Sequence, residues 1–192
     1  EPSLKSKPLD ERMMCAIFQA MTSMTTVGFN SVSIANLSNA SLLLIIVLMV
    51  IGASPSGTGG GLKTTTFSAI VGLMYSVLRG RKNVMFWGRA VPFERVWVAV
   101  AALGFYLGAL VTGTYLLELT EKSTFIQNLF EAASALGTVG LSMGITASLS
   151  NVGKCIIIAL MFCGRLGPLT FGIALFARNE KPIDVSDSDL AV

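Results

Sequence analysis

Long uncharged stretches alternate with short polar segments along this chain, and their lengths predict membrane-spanning helices. Residues 96–117 carry no charge between Arg95 and Glu118. Residues 155–177 form a second such stretch, interrupted by a single charge, Arg165. Because a helix needs about 20 apolar residues to cross the hydrocarbon core of a bilayer, we predict that both stretches span the membrane.

A third apolar stretch, residues 41–78, would be about 57 Å long as one helix, nearly twice the thickness of the hydrocarbon core. A glycine-rich sequence that cannot continue a regular helix interrupts it, namely Ser54-Pro55-Ser56-Gly57-Thr58-Gly59-Gly60-Gly61. We therefore predict two half-helices, about 41–53 and 64–78, on either side of an irregular break.

Two shorter apolar segments, around 13–27 and 124–137, each run into a turn rich in Gly, Thr and Ser. Segments of this length are more typical of re-entrant structure than of a span. The loop at 79–95 carries five basic residues and one acid, Glu94, and the positive-inside tendency places it in the cytoplasm. Both re-entrant segments then dip from the outer face, and residues 178–192 become a cytoplasmic tail.

Composition supports an all-α integral membrane protein. The 192 residues are 53% hydrophobic and 13% charged, with a mean hydropathy of +0.70, whereas soluble domains carry about 25% charged residues. The absence of histidine excludes Ser-His-Asp triads and imidazole metal sites. Three cysteines without a C-x-x-C motif indicate neither a disulfide framework nor a zinc site. The net charge of +3 is too scattered to indicate nucleic-acid binding. We expect no enzymatic activity and no organic cofactor.

An internal repeat appears at an offset of 112 residues. This offset relates Phe18 to Phe130 and Gly52 to Gly164, and it maps one Thr-Val-Gly tripeptide onto another, Thr26-Val27-Gly28 onto Thr138-Val139-Gly140. Each unit contains a short helix, a Thr-Val-Gly turn, an outer loop and a long helix. The predicted fold is two channel-like repeats, each with an M1 helix, a pore helix and an M2 helix, in which the first repeat lacks its M1 helix.

The chemistry of the Thr-Val-Gly turns points to a potassium ion. A dehydrated K⁺ in a pore is held by backbone carbonyl oxygens, and extended backbone is tolerated at membrane depth only where it lines a wet path or is buried in protein. Glycine allows the backbone dihedrals that turn successive carbonyls to one side. We therefore predict K⁺ ligands at both turns: Thr26, Val27, Gly28, Thr138, Val139 and Gly140. The alternative is that each tripeptide simply ends a helix.

At the centre of a spanning helix, an arginine such as Arg165 raises the free energy of membrane insertion by at least about 2.5 kcal/mol. Its candidate partners are Glu131 and the backbone carbonyls freed by the break at 57–61. The alternative is that Arg165 only neutralises a carboxylate and has a role in packing alone. We hypothesise that Arg165 and the glycine-rich segment form a gate. A phosphate-loop interpretation fails because Leu62 separates the glycines from Lys63, and a Ser56/Lys63 hydrolytic dyad is the weakest alternative.

These motifs together resemble the C-terminal half of the Trk/Ktr/HKT superfamily of potassium transporters, most of all its Ktr-type membrane subunit. The resemblance covers about Met13 to Ala177. It is carried by four motifs, namely Thr25-Thr26-Val27-Gly28-Phe29-Asn30, Gly52-Ala53-Ser54-Pro55 with Thr58 to Thr66, Ser134 to Ser142, and Gly164 to Thr170. The family usually reads Pro-Gly-Ser-Thr where this chain has Pro55-Ser56-Gly57-Thr58.

The resemblance implies potassium uptake through a selectivity filter and a gating loop at about 54–64. The implied filter residues are Thr25, Thr26, Val27, Gly28, Gly137, Thr138, Val139 and Gly140. The implied gate residues are Ser56, Gly57, Thr58, Gly59, Gly60, Gly61, Lys63 and Arg165. The implied ions are K⁺ as the transported ion and Na⁺ as a candidate co-ion. The implied partners are the remaining two repeats of the pore, a second copy in a homodimer, membrane lipid, and a cytosolic nucleotide-binding regulatory ring of the RCK/KTN type.

The expected organisation has four parts: a third repeat without M1 (1–78), a basic cytoplasmic loop (79–95), a fourth repeat (96–177) and a tail (178–192). Two repeats supply half of a fourfold filter, so we expect either that this plasma-membrane chain is a fragment of a longer polypeptide or that two copies of it associate. The competing function is a secondary transporter that binds another solute at the broken helix.

Overall fold

Helices account for nearly all of the regular structure in the computed structural model, which describes residues 7–52, 59–80, 84–86, 89–90 and 92–167. A two-residue antiparallel pairing of Met85–Phe86 (β1) with Arg89–Ala90 (β2) lies in the basic loop. The helices of the described residues are α1 (Leu9–Met24), α2 (Asn39–Ile51), α3 (Thr64–Leu78), α4 (Phe93–Thr120), α5 (Phe125–Leu136) and α6 (Asn151–Leu166). The prediction of an all-helical architecture is confirmed at this level.

The predicted apolar stretches correspond closely to helices. The 28 residues of α4 extend the predicted segment 96–117 at both ends, and α4 is the one described helix that is long and apolar enough to cross a membrane. The predicted half-helices are α2 and α3, two shorter apolar helices. Between them, residues 53–58 lie outside the described residues, and with them the predicted gate residues Ser56, Gly57 and Thr58.

The predicted continuous helix over 155–177 is wrong at both ends. The N-terminus of α6 is at Asn151, where the Ser150 side chain accepts a hydrogen bond from the backbone N–H of Gly153 and caps the helix. The helix ends at Leu166, because Gly167 adopts a φ of 85° and precedes Pro168, which disfavours helical backbone before it. Residues 168–177 and the predicted tail 178–192 lie outside the described residues.

The offset of 112 residues recurs in the helix boundaries. The ends of α1 and α5, Met24 and Leu136, are 112 residues apart, and so are the beginnings of α2 and α6, Asn39 and Asn151. Short 3₁₀ turns lie between them, at Ile34–Asn36 and Thr146–Ser148, and differ by the same offset. The N-cap of α2, Ser38, corresponds to Ser150, and its side chain likewise accepts a backbone N–H three residues on.

The core lies around α5, which packs against α2, α4 and α6. A capping box of Thr124 and Gln127 begins the helix, and from Phe130 onward every residue of α5 is buried. The corresponding helix α1 packs against α2, and most of its apolar side chains are exposed. The contrast is sharpest at equivalent positions, because Phe130 is 0% exposed whereas Phe18 is 45% exposed.

Gly164 tests how closely α6 approaches α5. A Cβ atom at Gly164 would overlap the backbone carbonyl of Leu136, the last residue of α5, and a backbone atom cannot yield as a flexible side chain can. We expect Gly164→Ala to lower the free energy of unfolding by about 1–3 kcal/mol, seen as a lower midpoint of thermal unfolding in detergent.

Gly108→Ala on α4 is the matched control, because a Cβ there meets nothing within 4 Å and alanine is the better helix former. Equal stability of the two variants would contradict the close approach of α5 and α6.

Candidate functional site

The second Thr-Val-Gly turn directly follows the C-terminus of α5. The N–H of Gly137 donates to the carbonyl of Ala133 at 2.8 Å, and the N–H of Val139 donates back to the carbonyl of Ser134 at 2.9 Å. Beyond these bonds the backbone leaves the helix, with φ angles of 53° at Thr138 and 91° at Gly140. A positive φ is uncommon for a β-branched residue such as threonine, and it marks a backbone held in a special conformation.

The first turn repeats this geometry at the end of α1. The N–H of Thr25 donates to the carbonyl of Met21 at 2.8 Å, and the N–H of Val27 donates to the carbonyl of Thr22 at 3.1 Å. The φ angles are 57° at Thr26 and 81° at Gly28. The two turns therefore share their hydrogen-bond pattern and their left-handed residues, position by position at the 112-residue offset.

The two turns lie against each other. A Cβ atom at Gly28 would overlap the carbonyl oxygen of Val139 and would lie 3.4 Å from the Cα of Gly140. From the other side, the nearest atom to a Cβ at Gly140 is the Cα of Gly28, at 3.9 Å. The structure thus brings together the residues that the repeat singled out, and Gly28 has no room for a side chain.

The surroundings of the two turns differ. Val139 and Leu141 are each 3% exposed, whereas their counterparts Val27 and Phe29 are 55% and 69% exposed. A cavity of about 220 Å³ lies beside the second turn, between it and α6. The second turn is therefore enclosed by its own repeat, and the first turn is open on one side.

The described end of the glycine-rich break lies directly against the second turn. The N–H of Gly60 donates to the side-chain hydroxyl of Thr138 at 2.8 Å. The Lys63 Nζ donates to the carbonyl of Gly59 at 2.6 Å, and the N–H of Leu62 donates to the carbonyl of Val50 in α2 at 3.2 Å. These bonds hold residues 59–63 beneath the turn.

Arg165 and Glu131 occupy different positions from those predicted. Arg165 is an exposed residue in the last turn of α6, where a cation interacts favourably with the helix dipole. The Glu131 carboxylate, one of its two predicted partners, is engaged by the outer loop instead of lying at the level of the break. One oxygen accepts from the Ser142 hydroxyl and the Met143 N–H, and the other accepts from Thr146.

The oxygen atoms at the two turns are those of the backbone and of hydroxyl groups. The described residues contain no cluster of three or more His, Cys, Asp or Glu side chains that could hold a metal ion. The C-termini of α1 and α5 point at the turns and add the negative end of the helix dipole there. This arrangement favours a weakly held monovalent cation over a tightly coordinated divalent or transition metal.

Sequence reasoning missed the polar side chains that support the turns. The Thr22 hydroxyl accepts from the N–H of Phe29 at 3.0 Å, and the Ser134 hydroxyl accepts from the N–H of Gly140 at 3.2 Å. Thr22 and Ser134 are equivalent under the repeat, as are Gln19 and Glu131. The signal was present, because both positions carry polar side chains in each of the two repeats.

Comparisons with known proteins agree on one family. Residues 2–186 match the family model of TrkH, described as cation transport protein. The chain is 39% identical over 171 residues to Ktr system potassium uptake protein B of Bacillus subtilis, covering 89% of this chain and 38% of that protein. It is 42% identical over 170 residues to the protein of the same name from Vibrio alginolyticus, covering 88% and 37%.

A third relative is the potassium/sodium uptake protein NtpJ of Enterococcus hirae. It is 35% identical over 175 residues, which cover 89% of this chain and 39% of that protein. The chain thus spans less than two fifths of the length of each of these curated relatives.

Proposed function

The chain belongs to the TrkH family of cation transport proteins, and from this membership we propose that it forms one half of a potassium-conducting pore in the plasma membrane. The resemblance to the Trk/Ktr/HKT superfamily that its motifs carry is confirmed by its Ktr-type relatives. A member of a transporter family is a membrane protein. We propose further that the chain crosses the plasma membrane several times and that its pore helices are re-entrant.

The observation that carries this proposal is the contact between two turns of the same geometry. Gly28 and the Val139–Gly140 peptide touch, although 112 residues separate equivalent positions. Two unrelated helix ends are not expected to share two left-handed residues at the same spacing and also to contact each other there. Repeats arranged around a common pore axis are expected to do both, because each repeat contributes one segment of the same pore wall.

In the proposed filter, K⁺ is bound by backbone carbonyls of both turns, at Thr26, Val27, Gly28, Thr138, Val139 and Gly140. Left-handed residues at the threonine and glycine positions alternate with an ordinary valine, which allows successive carbonyls to face the same side. Such carbonyls replace the hydration shell of the ion. Thr25 and Gly137 join the pore helices to the filter and complete it.

The open side of the first repeat supports the proposal that further segments complete the ring. The apolar side chains of α1 and its turn are exposed where their counterparts around α5 are covered by α4 and α6. A contiguous apolar surface of this kind marks an interaction site. We propose that the remaining two repeats of the pore and an M1 helix equivalent to α4 cover it.

We further propose that residues 54–64 gate the pore from below the filter. The support for this proposal comes from the described residues 59–63: the N–H of Gly60 bonds to the Thr138 hydroxyl, which keeps them beside the second turn. Lys63 bonds to Gly59 and stabilises these residues in that position. Arg165, at the cytoplasmic end of α6, adds positive charge that repels a cation on this side. The same role extends to Ser56, Gly57, Thr58 and Gly61.

The remaining proposals concern organisation and partners. The four parts are the third repeat (1–78), the basic loop (79–95), the fourth repeat (96–177) and the tail (178–192). The loop and the tail would face a cytosolic nucleotide-binding ring of the RCK/KTN type, with the membrane subunit as a homodimer in lipid. One relative is named for potassium and sodium uptake, which supports Na⁺ as a candidate co-ion.

A secondary transporter for another solute is the second candidate. It is favoured by the interruption between α2 and α3, where Gly52 and Gly61 adopt φ angles of 54° and 76°, because discontinuous helices commonly bind substrates at mid-membrane. In that mechanism the solute binds at the break, and the Thr-Val-Gly turns have no direct part in its recognition.

The substitution Gly28→Ser distinguishes the potassium pore from the secondary transporter. We expect Gly28→Ser, measured in the complete transporter, to reduce the preference for K⁺ over Na⁺ by about tenfold or more, because the new Cβ displaces the Val139 carbonyl. Gly140→Ser, with φ of 91°, should act in the same direction. The measurement is the half-saturation concentration of each ion for uptake into proteoliposomes.

Gly80→Ser is the matched control. Gly80 also has a positive φ, of 64°, but it lies outside the filter and a Cβ there meets nothing within 4 Å, so it tests the cost of the backbone conformation alone. An unchanged ion preference in Gly28→Ser would argue against the pore and in favour of a solute site at the break.

Deleting residues 54–61 tests the gate. We expect the maximal rate of K⁺ uptake to rise, because the deletion removes the N–H of Gly60 from Thr138 and opens the inner side of the filter. The rate is divided by the amount of monodisperse protein recovered, which separates transport from folding. Reduced uptake by well-folded protein would contradict a gating role.

A further inference from the structure

The carboxylate of Glu131 makes an extensive set of hydrogen bonds just outside the second filter turn. Glu131 lies in α5 and is 4% exposed. It accepts from the Ser142 hydroxyl, from the Met143 N–H at 3.2 Å and from the Thr146 hydroxyl at 2.9 Å. The Ser142 hydroxyl oxygen also accepts from the Gly144 N–H at 2.8 Å and lies 2.8 Å from the Thr146 hydroxyl oxygen. The carboxylate thus ties the pore helix to the chain that leaves the filter.

The equivalent position in the first repeat is Gln19, and it makes no such connection. Gln19 is 6% exposed, and among the described residues neither its amide nitrogen nor its amide oxygen has a hydrogen-bond partner. The residue equivalent to Thr146 is Ile34, which has no hydroxyl to donate. Both residues therefore differ between the repeats. In the second repeat Glu131 and Thr146 are joined by a hydrogen bond, whereas in the first repeat Gln19 and Ile34 are not connected.

We propose that Glu131 is a positioning residue for the second filter turn, an inference that rests on the proposed potassium pore. Ser142 and Met143 follow Gly140 closely along the chain, so fixing them fixes the outer end of the turn. The inner end is fixed by the Val139 and Gly140 N–H groups, which donate to Ser134 of the same helix. With both ends attached to α5, the carbonyls between them have little freedom to follow a smaller ion.

The proposal makes the two turns unequal. The second turn is attached to its pore helix at both ends. Among the described residues, the first turn is attached to α1 by the bonds of Thr25 to Met21 and of Val27 and Phe29 to Thr22, and its following loop makes no bond to the side chain of Gln19. Ion discrimination by geometry then depends more on the fourth repeat than on the third. Because hydrogen-bond partners rather than charge carry the effect, glutamine should replace glutamate at this position.

The test measures ion preference in the complete transporter reconstituted into proteoliposomes. We expect Glu131→Ala to reduce the ratio of the half-saturation concentrations for Na⁺ and K⁺ by about tenfold, as expected for the loss of several hydrogen bonds. Glu131→Gln should keep the ratio within about twofold, since its oxygen accepts from Ser142 and Met143 and its nitrogen donates to Thr146. Gln19→Ala, the matched control in α1, should leave the ratio unchanged.

This ratio does not depend on how much protein folds, so a purely structural role for Glu131 would lower the maximal rate and leave the ratio intact. That result would overturn the proposal, and so would a Gln variant as unselective as the Ala variant. Should Glu131→Ala fail to accumulate, Thr146→Val removes one donor from the exposed loop and is expected to lower the ratio about threefold; an unchanged ratio there would equally overturn it. A wild-type protein with no K⁺ preference would instead contradict the proposed pore itself.

Discussion

An extended peptide segment inside a bilayer has to direct every carbonyl and N–H group at protein, water or an ion, because lipid offers no hydrogen bonds. The rest of this structure follows from that constraint at Thr26–Gly28 and Thr138–Gly140. Each turn sends its valine N–H back to the helix before it and leaves carbonyl groups without a helical partner. In the proposed pore, a short helix that stops at membrane depth is tolerable because the backbone beyond it would hold an ion.

The glycines at the site follow from the distances between backbones. Gly28 lies against the Val139–Gly140 peptide, Gly60 lies against Thr138, and Gly164 lies against the end of α5. At each of these contacts one chain segment touches the backbone of another, and a Cβ atom would occupy the space. Close approach is what allows the two turns, residues 59–63 and α6 to pack against one another.

Much of this arrangement could be predicted from the sequence. Apolar length indicated α4, the glycine-rich break separated α2 from α3, and the 112-residue offset paired the two turns that the structure places in contact. The end of α6 was missed because an apolar run past Gly167-Pro168 resembles a continuing helix when only hydropathy is considered. Glu131 was offered as one of two candidate partners of Arg165 because an arginine within a spanning helix needs a partner and few candidates were present. Its actual donors come from a loop whose fold depends on the filter turn itself.

The unequal burial of the two repeats explains why one half of the molecule is self-sufficient in packing and the other is not. Around the second turn, α4 and α6 cover the pore helix, and polar side chains attach both ends of the turn. Around the first turn the same faces are apolar and open, and the side-chain amide of Gln19 has no hydrogen-bond partner among the described residues. In the proposed pore, a ring built from such units would close only when neighbouring segments supply the missing cover. The attachment of the second turn to its pore helix would then give the ring a fixed reference against which the more weakly attached first turn assembles.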